Sequence, residues 1–264
     1  MSRDALSFEE LKIFLDEQTD RFNRPTFIEH DPIAIPHRYT LKEDIEIAGF
    51  FAASLAWGNR KAIVKSASSI MQRMDDAPYD FILHAKPSEI KSLSSFVHRT
   101  FNGQDLIQFV KSLRHVYTAH GGMETLFAEG FQNNAASGIA AFRKAFFGIP
   151  HAARTTKHVS DPIAGSAAKR LHMFLRWMVR QDQRGVDFGL WRSISPAALS
   201  IPLDVHSGNI ARQLGLLQRK QNDAKAVDEL DATLRRLDPV DPVKYDFALF
   251  GLGVSGEWKN FAKP

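Results

Sequence analysis

Apolar residues along this chain recur at helical spacing, and the runs are punctuated by capping residues, glycine and proline. Ser7 with Glu10 and Thr40 with Glu43 have capping-box spacing, in which hydroxyl and carboxylate satisfy each other's free amides. Each pair precedes a run of helical period, so helices are expected at 7–22 and 40–57. Gly58 ends the second, and Asn59 caps a third from Arg60 to Met74, which Asp75-Asp76-Ala77-Pro78 breaks. The same reading predicts helices near 87–97, 104–119, 122–131, 137–147, 166–180, 205–217, 223–237 and 242–253. Gly185, Ser195-Pro196, Ile201-Pro202 and Asp238-Pro239 separate the later ones. No stretch alternates with strand period, and Asn102-Gly103 lacks alternating flanks, so it reads as an interhelical turn. The expected fold class is all-α. The 264 residues read as a single helical domain, with the irregular stretch 148–165 joining possible subdomains 1–150 and 151–264.

With 44% hydrophobic residues the chain has ample material for a core. The 34 Lys and Arg against 30 Asp and Glu leave a formal charge of only +4, but basic residues concentrate at 154–184 and 212–225. That distribution permits a polyanionic partner. The absence of cysteine excludes a disulfide framework, a thiolate zinc site, an iron–sulfur cluster and a thiol nucleophile, and fits a cytoplasmic protein. The first 20 residues are acidic and amphipathic, unlike a signal peptide, and no apolar run approaches membrane-spanning length, so no membrane partner is expected.

Two charged residues stand at expected helix starts. In 166–180, Leu171, Phe174, Leu175 and Met178 form an apolar stripe, and Lys169, His172, Arg176 and Arg180 fall on the opposite, basic side. Lys169 lies in the first turn, where the helix dipole and Arg170 disfavour a positive charge; a neutral lysine is a nucleophile, whereas an ordinary one packs its stem and solvates its head. Asp204 follows Pro202-Leu203 and precedes a helical run, the position of a helix cap. Asp246 shares a face with Val243, Phe247 and Phe250, so its carboxylate needs a partner, with Tyr245, Lys244 or a helix N-terminus as candidates. The turn Trp57-Gly58-Asn59-Arg60 combines an aromatic, an amide and a guanidinium, a set able to stack on a base or enter a groove, although its caps alone explain the spacing. His30-Asp31 and His37 lack metal-ligand spacing, so no metal is expected.

A first-turn lysine followed by Ile201-Pro202-Leu203-Asp204-Val205-His206 resembles the helix-hairpin-helix DNA glycosylases, in which a hairpin lysine precedes Pro-Val-Asp-x-His/Arg. The resemblance covers 150–254, including the closing helix, and extends to the N-terminal half only as a set of helices with the Trp57–Arg60 turn. Two features depart from the pattern. The loop Asp161-Pro162-Ile163-Ala164-Gly165-Ser166 lacks Gly-x-Gly, and the 35 positions from Lys169 to Asp204 exceed the usual spacing. Both are closer to the archaeal 8-oxoguanine glycosylase branch, and the run Lys-Arg-Leu-x-Met-Phe-Leu-Arg-Trp-Met-Val-Arg at 169–180 is similar to an uncharacterised bacterial family near it.

The resemblance implies two helical subdomains flanking a cleft, and a glycosylase and AP lyase that removes an oxidised purine through a lysine Schiff base, without metal or redox cofactor. Lys169 and Asp204 would be catalytic. Asp246, Phe250, Trp57 and Met173 would hold the flipped base, and Asn59, Arg60, Arg170, Arg176, Arg180 and His206 would contact double-stranded DNA. A monomer associated with the nucleoid is the corresponding expectation. Two other classes are compatible with the residues: a non-catalytic helical nucleic-acid-binding module, and a helical protein-interaction domain.

Overall fold

A computed structural model of the chain describes residues 7–131 and 134–256. It is all-α apart from one minimal hairpin. The helices are α1 (Phe8–Phe22), α2 (Lys42–Ser54), α3 (Arg60–Gln72), α4 (Pro78–His84) and α5 (Pro87–Ser92). After strands β1 (Val97–His98) and β2 (Phe101–Asn102) come α6 (Gly103–Ala119), α7 (Met123–Gly130), α8 (Ala135–Phe146), α9 (Lys169–Val179), α10 (Val205–Gln213), α11 (Ala224–Leu237) and α12 (Tyr245–Ser255). Among the described residues no helix is long and apolar enough to cross a membrane.

The expected caps at Ser7 and Asn59 form as read: Ser7 and Glu10 make a reciprocal box, and Asn59 accepts from the Ala62 amide. Thr40 does not cap α2. Leu41 takes the extended N-cap conformation instead, one residue past Thr40, which carries the threonine hydroxyl out of register with the free amides. Pro78, read as the last residue of a break, begins α4, because proline is compatible with a first helical turn. Asn102-Gly103 is a strand–helix junction rather than an interhelical turn: β1 and β2 pair as a two-residue ladder, and Asn102 then caps α6. Gly103 is obligatory there, since a Cβ would lie 2.1 Å from the Ser94 carbonyl oxygen. The expected helix 166–180 starts only at Lys169, because Ala168 is left-handed at φ 43°.

Two apolar clusters fill the interior. The larger runs from Ile33 to Leu199, with Val243 and Phe247 added from the C-terminal segment. Every residue of α2 from Ile45 to Ser54 is buried in it, as befits a helix apolar on nearly all sides. Rings of Phe50, Phe109, Phe142, Phe146 and Phe174 meet there, mostly edge to face. The smaller cluster joins Leu11 and Leu15 of α1 to residues from Ile201 onward on α10, α11 and α12. Apart from Val243 and Phe247, the larger cluster ends at Leu199 and the smaller resumes at Ile201, with α1 packed on the C-terminal helices. Gly251 admits the Phe22 ring where a Cβ would lie 2.3 Å from it, which lets α1 and α12 pack closely.

On the basic side, opposite the stripe, every residue named from the sequence except Lys169 is buried. His172 is 2% exposed and Arg176 and Arg180 are each 3% exposed. Burial pushes the His172 imidazole down to about 4, so it is neutral at pH 7. Each guanidinium is held by carboxylates. Arg180 bonds Asp182 at 2.6 Å, Asp187 at 3.0 Å and Asp241 at 2.9 Å; Arg176 bonds Asp187 at 3.3 Å and pairs with Asp246. Phe247 lies beneath both cations, 4.3 Å from the Arg176 guanidinium carbon and 5.4 Å from that of Arg180. This network ties α9 to the loop after it and to α12, so it joins the two clusters.

Arg180→Ala takes their cation from the partly buried Asp182 and Asp241, leaves the buried Asp187 to Arg176 alone, and is expected to lower the unfolding free energy in urea by about 3 kcal/mol. A loss under about 1 kcal/mol would show that the network does not hold the clusters together.

Candidate functional site

A cleft of about 660 Å³ opens where α3, α9, α10 and α12 meet. It is lined from the larger cluster's side by Trp57, Arg60, Ile63, Lys169, Arg170, Met173 and Arg176, and from the other by Asp204, Val205, His206, Asp246 and Phe250. Its size is that of small-ligand sites generally. Ten of the twelve residues singled out from the sequence line it. Asn59 and Arg180 do not: Asn59 is exposed with its side chain capping α3, and Arg180 is buried among carboxylates.

Lys169 and Asp204, 35 positions apart, meet with Nζ donating to Oδ2 at 2.9 Å. The loop before α9 sets the first of them. Asp161 Oδ1 accepts from the Ile163 and Ala164 amides at 3.0 and 3.2 Å, closing a tight turn, and the left-handed Ala168 then aims α9 so that Lys169 opens into the cleft. The segment before that turn, Ala153–His158, is a 3-10 helix rather than an α-helix. Asp204 is set by its own cap: Oδ1 accepts from the Ser207 amide at 2.9 Å, and the Ser207 hydroxyl accepts from the Asp204 amide at 2.9 Å. Asn222 Nδ2 donates to the Asp204 carbonyl at 2.8 Å, anchoring the turn from the far side. Burial pushes the Asp204 carboxyl up, but the Lys169 charge, the Lys169 hydrogen bond and the Ser207 amide outweigh it and hold the group below the usual range. The expectation of a cap is met, and the same carboxylate faces an amine with its second oxygen. The lysine side chain is 32% exposed and the aspartate 12%, so the pair is reachable from the cleft.

Asp246 is 5% exposed, and its partner is Arg176, not Tyr245, Lys244 or a helix terminus. Burial raises its carboxyl to about 6 against the pull of Arg176, and the Asp204 charge adds to the rise. Asp31, considered in the sequence only as a metal fragment, lines the floor as well. Its Oδ1 caps a 3-10 turn by accepting from the Ile33 amide at 3.1 Å, and burial raises its carboxyl also. The signal for it was the Asp-Pro pair, a turn cap. His37 is engaged elsewhere, with Nε2 2.8 Å from the Val186 carbonyl. Among the described residues no three metal-ligating side chains are grouped.

Aromatic walls complete the cleft. Trp57 lies parallel to His158, 6.0 Å away at 24°, and edge-on to His98 at 5.2 Å. His158 in turn lies 3.3 Å from Asp105, which also takes hydrogen bonds from Thr155 and Arg154, so the tryptophan rests on a fixed buried cluster. Phe250 packs edge-on against Phe27 at 6.3 Å and His206 at 6.1 Å. Phe27 and Asn222 carry no spacing signal that would have marked them in the sequence. Arg176 and Arg180, expected to hold phosphates, have their guanidiniums occupied by buried carboxylates and do not reach a polyanion at the surface.

An all-α chain with an amine–carboxylate pair at two helix starts, in an aromatic cleft between two cores, is the class that fold and site define. The chain belongs to the family described as "Protein of unknown function (DUF2400)", whose model matches residues 31–255. No curated protein and no solved structure matches it.

Asp246 carries a pH dependence that can be measured. A carboxyl raised in the folded state binds its proton more tightly there, so this contribution to stability is complete below about pH 4 and is lost as pH rises through about 6. Asp246→Asn is expected to flatten that part of the stability–pH curve, followed by urea unfolding at half-unit intervals. An unchanged slope would place the titration on another group.

Proposed function

We propose that this protein is a DNA glycosylase with AP-lyase activity, acting on an oxidised purine of the 8-oxoguanine type in double-stranded DNA. The observation that carries the reading is the Lys169–Asp204 pair at 2.9 Å, reachable from a cleft with aromatic walls. A base swung out of the duplex would meet apolar side chains at Trp57, Met173 and Phe250, and contact with them would offset an unstacking cost of a few kcal/mol. Asp246, which lines the cleft, would be the residue that reads the base.

In this mechanism Lys169 Nζ gives up a proton and its lone pair forms a bond to the sugar C1′. The C1′–N bond breaks, and the base leaves with the electron pair and takes up the proton. The Asp204 carboxylate stabilises the positive charge that develops on the sugar. Opening of the sugar ring leaves a lysine imine. Loss of a C2′ proton then expels the 3′ phosphate and nicks the strand.

Borohydride reduction tests the imine directly. Wild-type protein mixed with a duplex carrying 8-oxoguanine is expected to yield a covalent adduct, and Lys169→Gln none, with duplex binding retained. Asp204→Asn should slow base release by about 10²–10³-fold. Full activity in either variant would refute the assignment, and binding with no adduct on 8-oxoguanine or abasic duplexes would indicate a non-catalytic nucleic-acid module.

A further inference from the structure

Four cations line the cleft, and they fall into two kinds. Lys169 and Arg176 are paired with carboxylates. Arg60 and Arg170 are not: among the described residues no carboxylate lies within ion-pairing distance of either. Asp31, the third carboxylate of the floor, feels the Arg60 charge but does not lie within ion-pairing distance of it. Each of these two guanidiniums instead rests on an aromatic ring, Arg170 at 4.8 Å from the Trp57 centroid and Arg60 at 5.7 Å from that of Phe250. The two rings come from opposite sides of the cleft, Trp57 from the chain after α2 and Phe250 from α12.

This arrangement suits an anion better than solvent. A ring beneath a guanidinium covers one face and orients its N–H edge, and for Arg170 one N–H is already directed to the Ser54 carbonyl. Burial without a counter-charge lowers the hold of Arg170 on its proton to about 10, a cost that a bound anion removes. A phosphate presents planar acceptor pairs that match the remaining fork. Two guanidiniums of this kind, each over its own ring, accommodate two anionic groups of one ligand, as successive phosphates of a strand supply.

We infer that Arg60 and Arg170 are paired seats for two phosphates of one nucleic-acid strand, those flanking the nucleotide that enters the cleft. The inference rests on the glycosylase reading for the identity of that strand. It separates the arginines named from the sequence into two groups: Arg60 and Arg170 hold ligand, and Arg176 and Arg180 hold the fold. It also makes the recognised unit a nucleotide within a strand, with a free base or nucleoside bound weakly.

The test uses the full-length protein and a duplex with a tetrahydrofuran abasic analogue, which cannot form an imine, so binding is read apart from chemistry. Arg60→Gln and Arg170→Gln are each expected to weaken binding about tenfold and to reduce the slope of log K against log salt by about one. Methylphosphonates at the two flanking linkages should weaken the wild-type protein similarly and leave an Arg60→Gln/Arg170→Gln protein little further affected. Wild-type affinity indifferent to the neutral linkages overturns the inference, and this arm stands even if a glutamine variant fails to fold. Coupling without borohydride trapping keeps the phosphate seats and removes the glycosylase reading. Trapping without coupling does the reverse.

Discussion

Two guanidiniums taken out of water at the C-terminal end of α9 are the constraint around which this protein is built. Arg176 and Arg180 cannot be buried unpaired, because an isolated charge in a protein interior costs several kcal/mol or more. Their partners come from three places: the loop after α9 through Asp182 and Asp187, the approach to α12 through Asp241, and α12 itself through Asp246. Satisfying both therefore draws the C-terminal helices onto α9. Phe247, beneath both cations, contributes to the larger core while its helix neighbours Ala248 and Leu249 contribute to the smaller. The joint between the clusters is thus electrostatic at its centre and apolar around it.

The cleft follows from that joint. With α12 held against α9, the N-terminus of α10 arrives opposite the N-terminus of α9, and Asp204 meets Lys169. The two ion pairs at the floor differ in kind. Arg176–Asp246 is closed off and serves the fold, whereas Lys169–Asp204 is partly open. The closed and the open pair sit on the same helix, and Asp246, a member of the closed one, also lines the cleft.

Much of the secondary structure was legible in local chemistry. Helical period, the Ser7–Glu10 box, the Asn59 cap and the stops at Gly58 and Asp75-Asp76 act within a few residues, so the chain shows them directly. Errors fell where local rules compete. Thr40 has capping chemistry, but the backbone turned one residue later at Leu41; Pro78 reads as a breaker, yet starts α4. Of the site, Lys169 and Asp204 were visible because each marks a helix start. Asp31 was visible only as a turn cap, and Asn222 and Phe27 were not visible at all, since nothing near them in the chain records what they touch.

By itself, then, the sequence determined a helical chain, its principal caps and a short set of charged and aromatic residues fit for a cleft, because those properties depend on neighbours within one or two turns. Only the tertiary structure decided which charges meet carboxylates and which rest on an aromatic ring. Lys169, Arg170 and Arg176 on α9 and Arg180 at its C-cap look alike in sequence, and their surroundings diverge because Asp204, Asp241 and Asp246 reach some of them from distant segments, Asp187 reaches others from the next loop, and Arg170 is left to an aromatic ring. Pairing across such separations depends on how whole helices pack, which no local pattern encodes.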